Sequence, residues 1–319
     1  MATKRENPLI PDGLTIAFPG ESQERVAKRS TALDLLATDG RIEVTRQSIQ
    51  AGKHFYIYAS DTWRGFELIY IISGELSIEG GEGRSDLRIG AGGYLRHSGL
   101  REKAFFRVES DVELLMVASP PAFHLMRDGI AEMMQIAQAV EIKDRETSEH
   151  CDRIEHWSVR TAEALGMTGQ ELIDLSYAAC LHDIGKVGVP DHILGKTTAL
   201  TESEWALMKR HPQRGAELLW RRDFLGDAGA IVAAHHERFD GSGYPKGLRG
   251  EEIPLGARII AVVDTYDAMT STRAYGSAKP SRDALRELQE NAGTLYDPRV
   301  VEAFAAVING GEDGESEFE

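Results

Sequence analysis

The sequence predicts a multidomain protein, a small all-β domain followed by an all-α domain, and three patterns carry that prediction. Between about Asp34 and Pro120, short segments rich in Ile, Val, Tyr and Phe alternate with glycine clusters and polar stretches, the pattern of a compact β sandwich or barrel. Further on, apolar residues recur at helical spacing, as in Leu172, Leu175 and Ala179. Histidines and aspartates gather at the ends of such runs, in LHDIGK from Leu181 to Lys186 and in HHERFDGSGYP from His235 to Pro245.

Taken in order, residues 1–33 form an N-terminal segment whose start, MATKRENPLIPDG, lacks a hydrophobic signal region. Residues 34–120 hold the strand segments HFYIYA, FELIYIISGELSIEG, DLRIGAGGYL, AFFRVE and VELLMVAS. Residues 121–145 read as a connecting helix, because Phe123, Met126, Ile130, Met133 or Met134, Ala137 and Val140 share one stripe. That stripe suits burial against its own domain, and if exposed it would be a seam for pairing two chains. Residues 146–309 form the helical domain, and residues 310–319, GGEDGESEFE, have the composition of a solvated acidic tail.

Composition narrows the function. A formal net charge of −15 with no basic stripe argues against DNA or RNA as a partner and leaves small nucleotides open. No apolar run approaches the length of a membrane span. Cys151 and Cys180 show no paired-motif spacing, so a reducing cytoplasm is the expected compartment.

His182 follows the buried helical stripe and is joined to Asp183, and Gly185 then suits a helix C-cap. A buried His-Asp pair carries a desolvation cost that either hydrogen-bond partners or a cation must offset. Other segments offer co-ligands. Glu146 and His150 are four residues apart and share a helix face; His211 precedes Pro212; and His235 and His236 project about 100° apart at the end of IVAA. Asp264 falls inside the apolar run RIIAVVDTYDAM, with Asp267 one turn on, an unusual place for a carboxylate without a cation or donor.

In sequence, order and spacing, the stretch from about Phe123 to Asn309 resembles the HD-GYP family, a subgroup of the HD-domain metal-dependent phosphohydrolases. The motifs that carry the resemblance are HDIGKVGVPDHIL, EWALMKRHPQRGAELL, HHERFDGSGYPKGLRGEEIPLGARI, VVDTYDAMTSTRAY and AGTLYDPRVVEAF. The resemblance implies metal ligands at His150, His182, Asp183, His211, His235, His236 and Asp264, with Glu146 as an eighth that favours three ions over two. Iron is the expected metal, with manganese next. Two divalent ions bring about +4 against about −4 from Glu146, Asp183, Asp264 and a bridging hydroxide, and a third leaves about +2 for a phosphodiester.

The implied activity is that of a cyclic di-GMP phosphodiesterase, opening the ring to pGpG through attack by metal-activated hydroxide, with pGpG or GMP left open as the end product. Asp183 and Lys186 take the catalytic roles, and Lys186, Arg273 and Tyr244 the substrate contacts. The loop from Asp240 to Pro245 is linked in the family to GGDEF-domain partners, and Glu237 and Asp240 are candidates for orienting ligand imidazoles. Gly276 departs from the pattern, standing where family members often carry a basic residue. Two alternatives stay open: a ligand-responsive protein that binds a cyclic dinucleotide or a partner with weak activity, and a phosphohydrolase of another nucleotide.

In the N-terminal half, GFELIYIISGELSIEG and LRIGAGGYL resemble the two blocks of the cupin fold. Glu67 and Gly74 keep the family's spacing, while TWRG replaces the histidine pair that usually precedes the glutamate, and His97 is near only in sequence. The resemblance implies a metal-free cupin-like barrel that senses a small-molecule ligand or mediates homodimer formation. His54, His97, His124, His156 and His192 read as packing or surface residues.

Overall fold

The computed structural model describes residues 15–27, 30–57, 65–79, 87–121, 123, 136, 140, 148–221, 225, 227–271 and 278–310. The chain divides into two compact units, Met1–Asp128 and Gly129–Glu319. The first is antiparallel β and the second helical, in the predicted order. Most of the connecting helix expected at 121–145, the acidic tail beyond Gly310, and Glu146, Arg273 and Gly276 lie outside the described residues.

Among the described residues, eight strands pair in a single antiparallel sheet: β1 Glu24–Ala27, β2 Thr31–Thr38, β3 Glu43–Ile49, β4 His54–Ile57, β5 Phe66–Ile78, β6 Leu87–Gly90, β7 Tyr94–His97 and β8 Ala104–Ser119. The long strands β5 and β8 run together, with β3 and β7 flanking one half of the ribbon and β4 and β6 the other. Register breaks between Ile71 and Leu76 bend it. Ile69 and Ile71 before the bend and Leu76 after it therefore enter one core with Leu35, Val108, Leu114 and Phe123. Gly74 makes the bend possible: its φ is 82°, and a Cβ there would lie 2.2 Å from Asp111 O. Phe123 is tied in by its N–H, which donates to the buried Glu43 carboxylate at 3.0 Å.

Three sequence expectations change here. Among the described residues the sheet starts at Glu24 and not at residue 34: β1 is a four-residue edge strand, ERVA, too short to show a strand pattern in the sequence. Asp34 sits in mid-strand opposite Arg25 and Arg46, whose guanidinium groups lie 3.5 and 3.1 Å from its carboxylate. AFFRVE and VELLMVAS belong to one strand, β8. His97 is near Glu67 in space as well as in sequence: the two face each other across β7 and β5 at 2.8 Å, and His54 similarly meets Glu79 at 2.6 Å.

In the helical unit, α1 Ser148–Ala164 packs on α2 Gln170–Leu181 and on α7 Leu255–Thr270. Between α2 and α7 lie a 3-10 turn at Ile184–Gly188, α3 Asp191–Leu194, α4 Glu202–Met208, α5 His211–Leu219 and α6 Ala228–Ala234; α8 Ser281–Glu290 and α9 Pro298–Gly310 close the unit. Its core joins Leu175, Val232, Ile260, Val263 and Phe304. Helix α6, AGAIVAA, is made of small and apolar residues and packs against α2, α5 and α7.

Gly185 is not a C-cap. Helix α2 ends at His182, and Gly185 lies within the 3-10 turn where it touches the start of α5. A Cβ there would lie 1.9 Å from His211 O and 2.5 Å from Gly215 N, both backbone atoms that cannot rotate away. Gly185→Ala is expected to destabilise the helical unit by about 1–3 kcal/mol or more, as overpacked cores do. An unchanged denaturation midpoint would show that the two backbones separate freely.

Candidate metal centre

Three histidines in this unit are held the same way. The Nδ1 of His182 lies 2.8 Å from Ala179 O, that of His211 2.9 Å from Met208 O, and that of His235 2.7 Å from Val232 O. Each carbonyl is three residues earlier, in the last turn of a helix, where carbonyls have no intrahelical partner. A carbonyl only accepts, so Nδ1 carries a proton, and Nε2 is the atom left to offer a lone pair to a cation. His150 is held differently: its Nδ1 lies 2.7 Å from Asp267 Oδ2.

The Nε2 atoms converge. His211 Nε2 and His235 Nε2 are 3.3 Å apart, and they lie 3.1 and 3.9 Å from Asp183 Oδ1. His182 Nε2 lies 3.3 Å from Asp183 Oδ2, and His150 Nε2 lies 3.9 Å from Asp264 Oδ1. The ligand atoms fall into two groups, Asp183, His211, His235 and His236 in one and His150, His182 and Asp264 in the other, each within 4.8 Å. Two imidazole lone pairs facing each other beside a carboxylate repel unless a cation lies between them. The buried Asp183 Oδ1 and His182 Nε2 have no hydrogen-bond partner of adequate geometry. Nitrogen and carboxylate donors in this arrangement fit divalent first-row metals.

Electrostatics agree. Burial holds His235 well below the usual imidazole range, and burial together with His211 brings His236 down to about 3, so both are neutral donors. Burial would raise Asp183, yet Lys186, 2.7 Å away, and His182 hold it well below the usual carboxylate range. Burial also pushes His182 down, but the adjoining Asp183 outweighs it and leaves the ring up at about 10. The Asp183 neighbourhood thus demands positive charge, from a proton or from a metal.

The seven described ligand candidates, His150, His182, Asp183, His211, His235, His236 and Asp264, are brought together as two adjoining groups, while Glu146 lies outside the described residues. Lys186 Nζ reaches Asp183, and Tyr244 stacks on His236 with ring centroids 4.9 Å apart. Glu237 and Asp240 have other work than orienting imidazoles. Glu237 accepts from Lys246 N and Leu248 N, and Asp240 from Ser242 N, so both shape the loop around Tyr244. Gly243 lets that loop fold back, since a Cβ there would lie 2.3 Å from Arg238 N.

The groups that orient the rings are main-chain carbonyls and one acid that sequence reasoning left without a role, Asp267. This carboxylate is 3% exposed. It receives His150 Nδ1 and, at 2.5 and 3.0 Å, the Nε and Nη2 of Arg153, and Nη2 also reaches Ser271 Oγ at 3.0 Å. Burial would raise its pKa, but His150 and Arg153 bring it down to about 2. A signal was present in the spacing: Asp264 and Asp267 are one turn apart on α7, as His150 and Arg153 are on α1, so two packed helices bring two pairs face to face.

Residues 134–300, more than half of the chain, match the HD domain family. A curated cyclic di-GMP phosphodiesterase of Thermotoga maritima is 42% identical over 194 residues, covering 60% of this chain and 53% of that protein. A 3'3'-cGAMP-specific phosphodiesterase 2 of Vibrio cholerae is 39% identical over 169 residues, covering 52% of this chain and 32% of the relative. The chain therefore spans about half, or less, of the length of these relatives. Among solved structures, an RmlC-like cupin from Shewanella frigidimarina covers 33% of this chain and 89% of its own, with 14% identity and a TM-score of 0.28.

Asp267→Asn is expected to weaken metal binding by about 10- to 100-fold, the usual cost of losing an acid that orients a ligand imidazole. Chelator competition on the loaded protein measures this directly. Undiminished affinity would limit Asp267 to joining α1 and α7.

Proposed function

The chain belongs to the HD-domain family, and from that premise we propose that it is a metal-dependent phosphodiesterase acting on a cyclic dinucleotide. Cyclic di-GMP is the leading substrate, with pGpG and then GMP as products. The observation that carries the reading is the pair of facing Nε2 lone pairs on His211 and His235 beside Asp183, with His150, His182 and Asp264 adjoining. Donors so placed suit iron first and manganese next. Bound divalent ions would supply positive charge for the phosphoryl oxygens and make a water acidic enough to ionise near neutral pH.

The chain's own residues set the stage for attack on phosphorus. Asp183 stays ionised through Lys186 and keeps a carboxylate at the junction of the two ligand groups. The Lys186 ammonium, mostly buried beside Asp183, is placed to meet a non-bridging phosphate oxygen. Tyr244, half-buried on His236, walls the substrate side, and Arg273 adds a guanidinium for phosphate. Glu146, four residues before His150, extends the ligand set to a third ion.

Surrounding roles follow from chemistry already described. The exposed Ser242, Pro245 and Lys246 make the Tyr244 loop a contact surface for GGDEF-domain partners. The cupin-like unit binds a small-molecule ligand or pairs two chains as a homodimer. Cys151 and Cys180 are not joined in a disulfide and no described helix is long and apolar enough to cross a membrane; we assign the cytoplasm, where nucleotide second messengers are made. A second substrate reading, 3'3'-cGAMP, is supported by the Vibrio cholerae relative named for it, since metal ions recognise phosphate and not the base.

Protein purified anaerobically is expected to carry two or three transition-metal ions per chain and to linearise cyclic di-GMP, followed by metal analysis and product chromatography over a nucleotide panel that includes 3'3'-cGAMP. Asp183→Ala should abolish turnover and Lys186→Ala should slow it; wild-type rates in Asp183→Ala would mean the centre is misassigned. Glu146→Ala should lower the metal count by one ion per chain. An unchanged count with retained activity would make Glu146 a surface acid.

A further inference from the structure

The ligand cluster continues outward as a wall of rings. The centroids of His235 and His236 are 4.1 Å apart; His236 stacks on Tyr244 with 28° between planes; and Tyr244 meets Trp205 edge-on at 6.2 Å and 71°. The Lys209 ammonium lies 5.5 Å from the Tyr244 centroid and 5.7 Å from that of Trp205. Trp205 nonetheless remains 44% exposed.

Helix α4 fixes this wall to the metal centre. Its N-terminus is closed by a capping box between Thr201 and Glu204, and Lys196 braces Glu204 at 2.5 Å. At its other end Met208 O takes up the Nδ1 of His211. Trp205 and Lys209 are four residues apart, so they share the face that carries Tyr244. A seven-residue helix anchored at both ends thus holds an indole and an ammonium beside a metal-ligand ring. Tight packing of Tyr244 alone would not call for an indole left open to solvent and topped by a cation.

We propose that Trp205 and Lys209 form a shelf that binds the half of the cyclic dinucleotide not being cleaved, the indole taking a purine base and the ammonium the second phosphate. The inference rests on the phosphodiesterase reading above. A purine offers a π face to an indole whatever its hydrogen-bonding edge, so the shelf holds guanine and adenine alike. Lys209 supplies local positive charge on a chain of net charge −15, and it offers the ammonium that Gly276 does not.

The test is steady-state kinetics of the full-length, metal-loaded protein on cyclic di-GMP, with bis(p-nitrophenyl) phosphate alongside and metal content measured for each variant. Trp205→Ala should raise KM by about 5- to 150-fold, the range of one lost base stack, with kcat changing less and metal content unchanged. Trp205→Phe should recover most of the loss, and Lys209→Gln should raise KM and flatten its dependence on salt. A KM for Trp205→Ala within about twofold of wild type, or a rise accompanied by lost metal, overturns the shelf and leaves Trp205 a packing residue. Wild-type protein inactive on both substrates overturns the phosphodiesterase reading and the shelf together. Activity on both with an unmoved Trp205→Ala KM overturns the shelf alone.

Discussion

The last turn of a helix leaves carbonyls without partners, and at three helix ends of this chain a histidine three residues on takes one up through Nδ1. Two needs are met by one bond: the helix gains a cap, and the ring is locked in the tautomer whose Nε2 is a lone pair. The direction of that lone pair follows from the helix, so the site's geometry is set by where α2, α4 and α6 stop. Carbonyls at helix C-termini also carry the negative end of the helix dipole, which makes each imidazole a better donor. Fold and metal affinity therefore depend on the same three hydrogen bonds.

His150 lies in the first turn of α1, away from any helix C-terminus among the described residues. Asp267 takes the carbonyl's place, and a free carboxylate buried to that depth would be costly, so Arg153 accompanies it. The result ties α1 to α7 through charge at the point where Asp264, one turn before Asp267, approaches the same ring. Removing Arg153 would leave the buried Asp267 carboxylate without its guanidinium donor and loosen the contact between α1 and α7. The candidate ligand imidazoles are thus held by two different means: helix ends for His182, His211 and His235, and a helix-helix ion pair for His150.

The residues that the structure gathers into two groups were legible as candidate ligands because adjacent pairs such as His182-Asp183 and His235-His236 at the ends of apolar runs have few structural uses. The partners of those ligands were not legible. A main-chain carbonyl leaves no mark in a sequence, and Asp267 looked like one more acid on the face of Asp264 until packing brought α1 against it. Glycine misled for a related reason: Gly185 follows a helix, where a C-cap is common, but the space it leaves is filled by the His211 carbonyl from a segment 26 residues on. In the β unit, the spacing of Glu67 and Gly74 was readable, while Asp34 was hidden because only strand register reveals Arg25 and Arg46 on either side. Local chemistry is written locally; partners across the fold are not.

The contrast among buried acids of the helical unit gives the metal reading its weight. Glu237 accepts two main-chain N–H groups, Asp297 accepts Arg258 and the N–H of Arg299, and Asp267 accepts a guanidinium and an imidazole. These acids are nearly inaccessible and each is supplied with donors from the protein. Asp183 is treated differently: Lys186 serves Oδ2, while buried Oδ1 faces nitrogens whose protons are committed to carbonyls on the far side of their rings. Among the described residues, a helical unit that supplies Glu237, Asp267 and Asp297 with donors yet aims two ring nitrogens at this oxygen has a place suited to a cation.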